Sequence, residues 1–435
     1  MKIKPTSEKA KSASKVSSRS HLGERVPRLR FPGFEGEWKF VPFGSIIRET
    51  NLRTNIENED ILLSAAIEGM FLNSELFDHQ RGASNKGYKK IKLRTLVLST
   101  QNLHLGNANV NLRFEHGIVS PAYKTYEVVG CDPVLLGQWV KTGKAKKFFF
   151  DATTVGASVC RRNVEWDTLY QQQLCLPTEN EQHKLADFLS LLTDRISSQQ
   201  RLVELLKKHK RGLVQDLFTG ELSKLPRLRF AGFKDAWTIR SFDEVFSFLK
   251  NNTLPRSEMT TAGGMIRNVH YGDVLIKYGD VLDCNRDQIP FLVSDKQSDD
   301  YRLLQDGDVV IADTAEDEAV GKTVELVGVA NKLIESGLHT IACRPTISFA
   351  PRFLGYYLNS TAYRRQLLPL MQGIKVLSLS MSQLGKTQLL FPPDINEQKR
   401  IAELLTGIDA HIAVAQSHLD KMQSLKTGFL QQLFV

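Results

Sequence analysis

Two long stretches of the chain place apolar residues at alternating steps of four and three positions. Between Pro177 and Phe218 the repeated positions are Leu185, Leu189, Leu192, Ile196, Gln199, Val203, Leu206, Lys210, Leu213 and Leu217. Between Pro393 and Phe434 they are Ile401, Leu405, Ile408, Ile412, Ala415, Leu419, Met422, Lys426, Phe429 and Leu433. This spacing is typical of the apolar seam of a coiled coil. The pattern therefore predicts two long helices, each about 55 Å in length at 1.5 Å per residue.

The two stretches are copies of one sequence. A shift of 216 positions (393 − 177 = 216) aligns them without a gap, and Glu181-Gln182 then falls on Glu397-Gln398. Two matched seams favour helices that pack on each other; the alternative is that each helix packs only on its own domain. Lys210 and Lys426 occupy equivalent seam positions, where a polar residue commonly fixes register. Thr178 and Asp394, each following a proline, are candidate helix caps.

A shorter repeat, which we call the opening motif, precedes each half of the chain. Its copies are VPRLRFPGFEGEW at 26–38 and LPRLRFAGFKDAW at 225–237. Each half therefore follows one plan: opening motif, variable body (39–176 or 238–391) and long helix. The predicted organisation is a disordered basic tail (1–25), domain 1 (26–178), the first helix (179–220), domain 2 (221–392) and the second helix (393–435). Such an internal repeat predicts a pseudo-two-fold arrangement.

The bodies predict an α+β fold class with short, largely antiparallel strands. In the first body, β-like runs occur at 95–98, 118–119 and 126–129, and residues 133–147 have a helical pattern. In the second body, Gly-Asp-Val occurs three times, and residues 353–370 are predicted to form a helix.

Composition narrows the function classes. Lys and Arg number 57 against 48 Asp and Glu, so the net charge is +9, which is compatible with a polyanionic partner. The five cysteines have no CxxC spacing, which predicts neither a zinc site nor a disulfide framework and favours a cytoplasmic location. The sequence has no run of 18 apolar residues, so it predicts no membrane-spanning helix.

Each stretch that partly matches a known catalytic motif lacks one or more of the residues that the motif requires. Gly321-Lys322-Thr323 and Gly385-Lys386-Thr387 lack the upstream glycine of a phosphate-binding loop. Asp394, Glu397 and Lys399 have the residue types of a metal-dependent nuclease, but the equivalent stretch of the other repeat lacks both the aspartate and the lysine. The sequence predicts no catalytic residue and no metal site.

The repeated borders resemble those of the specificity subunit of type I restriction–modification systems. The residues that carry the resemblance are the two PRLRF.GF…W motifs, the P…EQ.(K/R)(I/L)A openings of the helices and their G(L/F)…Q.LF closings. The resemblance implies two DNA target-recognition domains separated by two antiparallel coiled-coil helices. It further implies two partner methyltransferase subunits that carry S-adenosylmethionine, a restriction/translocase subunit, and no cofactor or chemistry on this chain.

Candidate DNA contacts are the basic and amide side chains of the bodies, since Lys and Arg neutralise phosphates and Arg, Asn and Gln can bind base edges. The alternatives are solvated charged turns and ordinary cap and turn chemistry. The repeated opening-motif arginines (Arg28, Arg30, Arg227 and Arg229) are expected to support the shared scaffold or a partner instead. The predicted contacts are Lys86, Tyr88, Lys89, Lys90, Gln101, Asn102, His104, Arg161, Arg162, Asn251, Asn252, Arg256, Arg267, Asn268, His270 and Lys375.

The sequence therefore predicts a non-catalytic DNA-recognition subunit, in which each body binds one half of a split, asymmetric target and the helices set the spacer. The alternative is a coiled-coil scaffold that docks partner proteins and contacts DNA only incidentally.

Overall fold

The structure, a computed structural model, describes residues 25–77, 84–158, 161–219, 225–293 and 303–435. The chain forms two compact units. Unit 1 runs up to Ser198 and is completed by Leu419–Val435, whereas unit 2 is Gln199–His418. Each unit therefore contains one body and a part of each long helix. The predicted basic tail, except for its last residue, lies outside the described residues.

Unit 1 is built from short strands and helices that surround a large hydrophobic cluster and a smaller one. Its strands are β1 (Lys39–Pro42), β2 (Ile47–Thr50), β3 (Leu63–Ala65), β4 (Met70–Leu72), β5 (Lys89–Lys92), β6 (Thr95–Ser99), β7 (Ala108–Val110), β8 (His116–Val119), β9 (Tyr123–Val128), β10 (Thr153–Ser158), β11 (Arg161–Val164) and β12 (Gln173–Leu176). Its helices are α1 (Asn73–Leu76), α2 (Pro133–Trp139), α3 (Gly143–Asp151), α4 (Trp166–Gln171) and the first half of α5 (Glu179–Leu217), with 3-10 turns at Phe43–Ile46 and Leu103–Leu105.

The central sheet of unit 1 has the strand order β2-β9-β6-β7 and is antiparallel throughout. Leu96 and Leu98 of β6 are fully buried because α2 and α3 cover one face of this sheet. The same core includes Leu185 and Leu189 of the first long helix and Leu433, which belongs to the second. The core of unit 1 thus draws on both long helices.

Unit 2 repeats this construction with more strands. They are β13 (Thr238–Ser241), β14 (Phe246–Leu249), β15 (Met259–Thr260), β16 (Ile266–Val269), β17 (Val281–Asp283), β18 (Phe291–Leu292), β19 (Val309–Ala312), β20 (Thr314–Ala315), β21 (Thr323–Val327), β22 (Leu333–Ser336), β23 (Thr340–Pro345), β24 (Leu377–Ser378) and β25 (Gln388–Phe391). The helices are α6 (Phe242–Val245), α7 (Tyr271–Ile276), α8 (Phe353–Asn359), α9 (Thr361–Arg364), α10 (Met381–Leu384) and α11 (Ile395–Leu433), with 3-10 turns at Arg256–Glu258 and Leu368–Leu370.

The main sheet of unit 2 has the order β14-β23-β19-β21-β17, in which only the β17–β21 pair is parallel. A second sheet, β15-β18-β16-β22, adds a parallel β16–β22 pair. The core of unit 2 includes Leu217 and Phe218 at the end of α5 and Ile401 and Leu405 near the start of α11.

The two bodies share a plan that their sequences hide. The order β14-β23-β19-β21 matches β2-β9-β6-β7, and in both units the strand after the opening motif pairs antiparallel with the strand before the long helix, as β1–β12 and β13–β25. Trp38 and Trp237 end the two opening motifs and are both buried. The predicted internal repeat and α+β class are therefore confirmed, and the β15-β18-β16-β22 sheet is the main addition in unit 2.

The seams of α5 and α11 are buried or half-buried at every predicted position. In unit 1, the ring of Phe188 lies 5.3 Å from that of Phe429, and Lys426 Nζ donates to Thr193 Oγ1 at 2.8 Å. In unit 2, Gln199 Nε2 donates to the carbonyl oxygen of Ala415 at 2.8 Å. Within each unit the residue numbers of α5 rise as those of α11 fall, so the helices pack on each other as an antiparallel pair.

The two seam lysines differ in their partners. Lys210 Nζ lies 2.7 Å from both Asp280 Oδ2 and Asp409 Oδ1. Burial lowers the pKa of Lys210, but the two carboxylates outweigh that effect and the net shift is upward. Lys426 bonds to a neutral hydroxyl, and burial lowers its pKa. The repeat thus keeps the lysine but not its compensating charge.

Two stretches predicted as single helices are interrupted, so the prediction of one continuous helix was wrong in both bodies. In 133–147 the break lies at Thr142, whose Oγ1 accepts from Ala145 N at 3.1 Å and starts α3. In 353–370 it lies at Ser360, whose ψ of 149° leaves the helical region and whose Oγ caps α9. Side-chain capping competes with helix continuation at serine and threonine. Asp394 acts as predicted, since its Oδ1 accepts from Asn396 N at 2.8 Å.

Candidate nucleic-acid interface

The opening-motif arginines bind the first turns of the long helices. Arg30 Nε and Nη2 each donate to a carboxylate oxygen of Glu181 at 2.7 Å, and Arg229 forms the same bidentate pair with Glu397 at 2.7 and 2.8 Å. Both glutamates are 1% exposed. The hydrogen bonds that each arginine donates to its carboxylate are the main reason that the pKa of the arginine is raised. The expected scaffold role is confirmed for Arg30 and Arg229.

The same motif also holds the end of the other long helix. Leu29 N donates to the carbonyl oxygen of Gln432 at 3.1 Å in unit 1, and Leu228 N donates to that of Asp216 at 2.9 Å in unit 2. These bonds satisfy carbonyls that a helix end leaves without an intrahelical partner. We call the arginine–glutamate pair and this backbone bond together the clamp. Each unit has one clamp, and each clamp ties the start of one helix to the end of the other.

The glutamine that follows each clamped glutamate fixes the body. Gln182 Oε1 accepts from Asp132 N at 2.8 Å, and Gln398 Oε1 accepts from Ala350 N at 3.0 Å. Both side-chain amides also donate to the carbonyl oxygen of a nearby proline, Pro177 or Pro392. The repeated Glu-Gln pair is therefore structural, which accounts for Glu397 without any nuclease chemistry.

The basic loop of unit 1 keeps one of its predicted cations fully exposed. Lys86 is exposed and Tyr88 is half-buried, whereas Lys89 is buried and burial lowers its pKa. Lys90 forms an ion pair with Glu59, which lowers the pKa of that carboxyl. Lys86 is therefore the residue of this loop that best keeps the exposure a phosphate contact requires, whereas the burial of Lys89 argues against such a contact.

The amide loop of unit 1 divides in the same way. Gln101 and Asn102 are exposed, whereas His104 is buried. Asn107 and Asn109 donate to the carbonyl oxygens of Ala65 and Ala66, and so bind the neighbouring loop as turn chemistry. Only the exposed amides at the start of the loop remain candidates for base edges.

The arginine pair before α4 is engaged within its own hairpin. Arg162 Nε and Nη2 both donate to Thr153 at 2.7 Å, and its guanidinium lies 4.2 Å from the ring centroid of Phe150. The side chain of Arg161 lies outside the described residues. The matching segment of unit 2 places Lys375 in an exposed turn.

Several predicted contacts in unit 2 form a buried polar network instead. Asn268 Nδ2 donates to Asn252 Oδ1, and Asn252 Nδ2 donates to Glu335 Oε2, each at 3.0 Å. His270 is buried, which lowers its pKa, and its Nδ1 accepts from Gly272 N at the start of α7. Asn252, Asn268 and His270 face the protein interior here because they close the junction of β16 and β22, so they are not carried into the proposed interface.

The other predicted contacts of unit 2 differ in their exposure and charge. Asn251 is half-buried, and its Nδ2 donates to the carbonyl oxygen of Gly337. Arg256 is exposed but forms an ion pair with Asp273. Arg267 projects into a cleft of about 370 Å³. The lining residues of this basic cleft are Thr261, Arg267, Cys284, Asn285, Arg286, Asp287, Gln288, Ile289, Pro290, Phe291 and Lys332.

The basic cleft contains two cations that sequence reasoning missed. Arg286 and Lys332 are distant from Arg267 in the chain, and the three come together because β16 pairs with β22, which follows Lys332, and with β18, which follows the loop that carries Arg286. The one available signal was the polar run Asn285-Arg286-Asp287-Gln288, which is typical of a surface turn.

No cluster of three or more His, Cys, Asp or Glu side chains suited to a metal ion occurs in the described part of the chain. Among the same residues, no helix combines the length and apolar character needed to cross a lipid bilayer.

Fold and clamps together define a class: an internally repeated chain in which two unlike α+β bodies are joined to one antiparallel pair of long helices. No family model matches the sequence. The chain is 22% identical over 301 residues, 67% of each protein, to the type I restriction enzyme MjaVIII specificity subunit of Methanocaldococcus jannaschii. The predicted resemblance to type I specificity subunits is confirmed by this relative, which is named as a specificity subunit and not as a methyltransferase or nuclease.

Solved structures agree at the level of the fold. The S subunit of a type I restriction–modification system from M. genitalium matches with a TM-score of 0.56 and 13% identity, covering 94% of this chain and 99% of that one. A structure described as explaining complex assembly and conformational transition of the type I R-M system matches with a TM-score of 0.51 and 17% identity, covering 90% and 96%. The chain therefore has the fold of a type I specificity subunit over nearly its whole length.

Proposed function

We propose that the chain is the DNA sequence-specificity subunit of a type I restriction–modification complex. The observation that carries this proposal is that the two bodies differ from each other, whereas each is attached to a copy of the same clamp and of the same long helix. A repeated scaffold needs no sequence change between its copies, whereas two DNA-binding domains that bind different half-sites must differ. The similarity to the curated specificity subunit supports the same role.

In this proposal each body binds one half of a split, asymmetric DNA target. The exposed residues Lys86, Gln101 and Asn102 of unit 1 and the half-buried Arg267 of unit 2 have the side-chain chemistry that phosphates and base edges require. The long helices, each a single run of 39 residues, would set the number of base pairs between the halves. Spacing fixed by protein geometry is the general rule for two-part DNA-binding proteins.

Methylation and cleavage would belong to partner subunits. We expect two methyltransferase subunits with bound S-adenosylmethionine, a restriction/translocase subunit, and action in the cytoplasm where the DNA is. Leu202 and Leu205 of α5 lie outside the seam and are exposed, so unit 2 offers apolar surface on this helix. That surface suits partner docking, and it is also the feature that favours the alternative of a protein scaffold.

The decisive experiment selects duplexes from a random pool with the chain, with and without a methyltransferase partner, at low and high salt. A specificity subunit should enrich a two-part sequence at both salt concentrations, because sequence-specific binding survives at high salt, whereas binding through phosphates alone weakens steeply. A scaffold enriches no sequence under any of these conditions.

A second experiment tests the spacer. One helical turn inserted into or deleted from 181–217 changes the helix length by about 5.4 Å, which corresponds to one or two base pairs at roughly 3.4 Å each. The spacer of the selected sequence should change while both half-sites stay the same. Altered half-sites with an unchanged spacer would show that the helices do not set the spacing.

A further inference from the structure

The described lining of the basic cleft of unit 2 carries more cations than carboxylates. Among the described residues that line it are the cations Arg267, Arg286 and Lys332 and one carboxylate, that of Asp287. Asp287 Oδ2 accepts from Asp283 N at 2.8 Å, so this carboxylate already stabilises the turn that follows β17. The cleft therefore has a net positive lining.

Two of these cations, Arg267 and Lys332, donate hydrogen bonds to neutral acceptors. Arg267 Nη1 donates to the carbonyl oxygen of Cys284 at 3.2 Å, and its guanidinium lies 5.1 Å from the ring centroid of Phe291. Lys332 Nζ donates to Asn285 Oδ1 at 2.8 Å and to the carbonyl oxygen of Gly328 at 2.7 Å. Such tethers fix the position of a cation without cancelling its charge.

Three other cations of unit 2 pair with carboxylates. Arg256 pairs with Asp273, Arg344 with the buried Asp308, and Lys210 with two aspartates. At the cleft, Arg267 and Lys332 donate to backbone carbonyls and an amide oxygen instead. Arg286, exposed on the intervening turn, adds a third charge to the cleft lining.

We propose that the basic cleft binds a phosphodiester group of the DNA strand that unit 2 contacts. The proposal rests on the proposed function and assigns one contact within it. A volume of about 370 Å³ is ample for a phosphate with its sugar. Since phosphate contacts position a protein on the duplex and carry no sequence information, the cleft sets the register of unit 2 while other residues bind the bases.

The test compares Arg286→Gln and Lys332→Gln with the wild-type full chain. The probes are two fluorescent duplexes, one carrying the sequence selected by wild type and one scrambled, titrated from about 50 to 200 mM salt. Each substitution should weaken binding to both duplexes by the same factor and reduce the slope of log K against log salt by about 0.9. The control is Arg240→Gln, an exposed arginine of β13 outside the cleft lining, and it should change neither quantity.

Each result has a defined meaning. Unchanged slopes in both cleft variants overturn the proposal, and so does a changed selected sequence, since the cleft would then bind bases. Inorganic phosphate serves as a further probe: if it binds wild type but not the variants while DNA affinity is unchanged, the cleft is a small-anion site and the proposal fails. If wild type selects no sequence yet the slopes fall, the proposed function fails and the phosphate contact stands. If a sequence is selected and the variants behave as wild type, only the phosphate contact fails.

Discussion

The clamp of unit 2 makes a quantitative prediction about the scaffold. Arg229→Met removes both donors that Glu397 accepts from and leaves a 1% exposed carboxylate without them. Removing one partner of a buried ion pair typically costs 3–5 kcal/mol, because the remaining charge is uncompensated, so we expect a loss of about 4 kcal/mol in the free energy of unfolding of unit 2.

The opening motif supplies its own control. Arg227 lies two positions before Arg229, its side chain is 87% exposed, and it is 3.5 Å from Asp216. Arg227→Met should cost less than about 1 kcal/mol, as is usual for an exposed pair. A double variant, Arg229→Met with Glu397→Leu, should recover most of the loss because it removes the stranded charge together with its partner.

Urea unfolding combined with amide hydrogen exchange measures these differences. Exchange should accelerate in peptides spanning the second opening motif and the start of α11, and much less in the first opening motif. If Arg229→Met and Arg227→Met cost the same, or if the double variant is no more stable than Arg229→Met, then the buried pair does not hold the helix start. Arg30→Met repeats the experiment in unit 1, with the same expected cost.

Three further predictions concern unit stability. Lys426→Met should raise the urea midpoint of unfolding, because burial lowers the pKa of this lysine and its hydrogen-bond partner is a neutral hydroxyl. Lys210→Met should lower the urea midpoint, because it leaves the carboxylate of Asp280 without this cation. Burial raises the pKa of Glu325 from 4.5 to about 7. The protonated carboxyl therefore contributes stability that is complete below about pH 4.5 and is lost as the pH rises through 7. In urea titrations at each pH, the free energy of unfolding of the wild type should fall by roughly 3 kcal/mol relative to that of Glu325→Gln between pH 4.5 and 8. A pH-independent difference would contradict this assignment. Gly355→Ala should destabilise unit 2 in the same assay, since its Cβ would lie 2.2 Å from the carbonyl oxygen of Asp280; a wild-type midpoint would show that α8 can shift.

Patterns that repeat along the chain predicted the scaffold well. The seams identified α5 and α11, and the repeated arginines correctly indicated a structural role, because both signals depend on local spacing and on comparison of one half with the other. Continuity of shorter helices was not predictable in the same way. A hydrophobic pattern runs smoothly through Thr142 and Ser360, and only the side-chain hydrogen bonds of these residues end one helix and start the next.

The candidate interface was predicted less completely. Amide and basic side chains can contact DNA, and they can equally form hydrogen bonds within the loops of the protein. The sequence alone does not distinguish these two roles. Asn252 and Asn268 are buried because β16 and β22 pair in parallel from distant parts of the chain, and the same pairing carries Lys332 to the cleft. Such contacts depend on tertiary structure, which a linear pattern does not contain.

The composition of unit 1 has a consequence for protein synthesis. Its core includes Leu433 and Phe434, which a ribosome adds after all of unit 2, whereas unit 2 is one uninterrupted segment. Unit 2 can therefore finish folding during translation while the earlier-made unit still lacks part of its interior. A stop codon introduced just after His418 would then remove part of the interior of unit 1, although every residue of unit 2 would still be made.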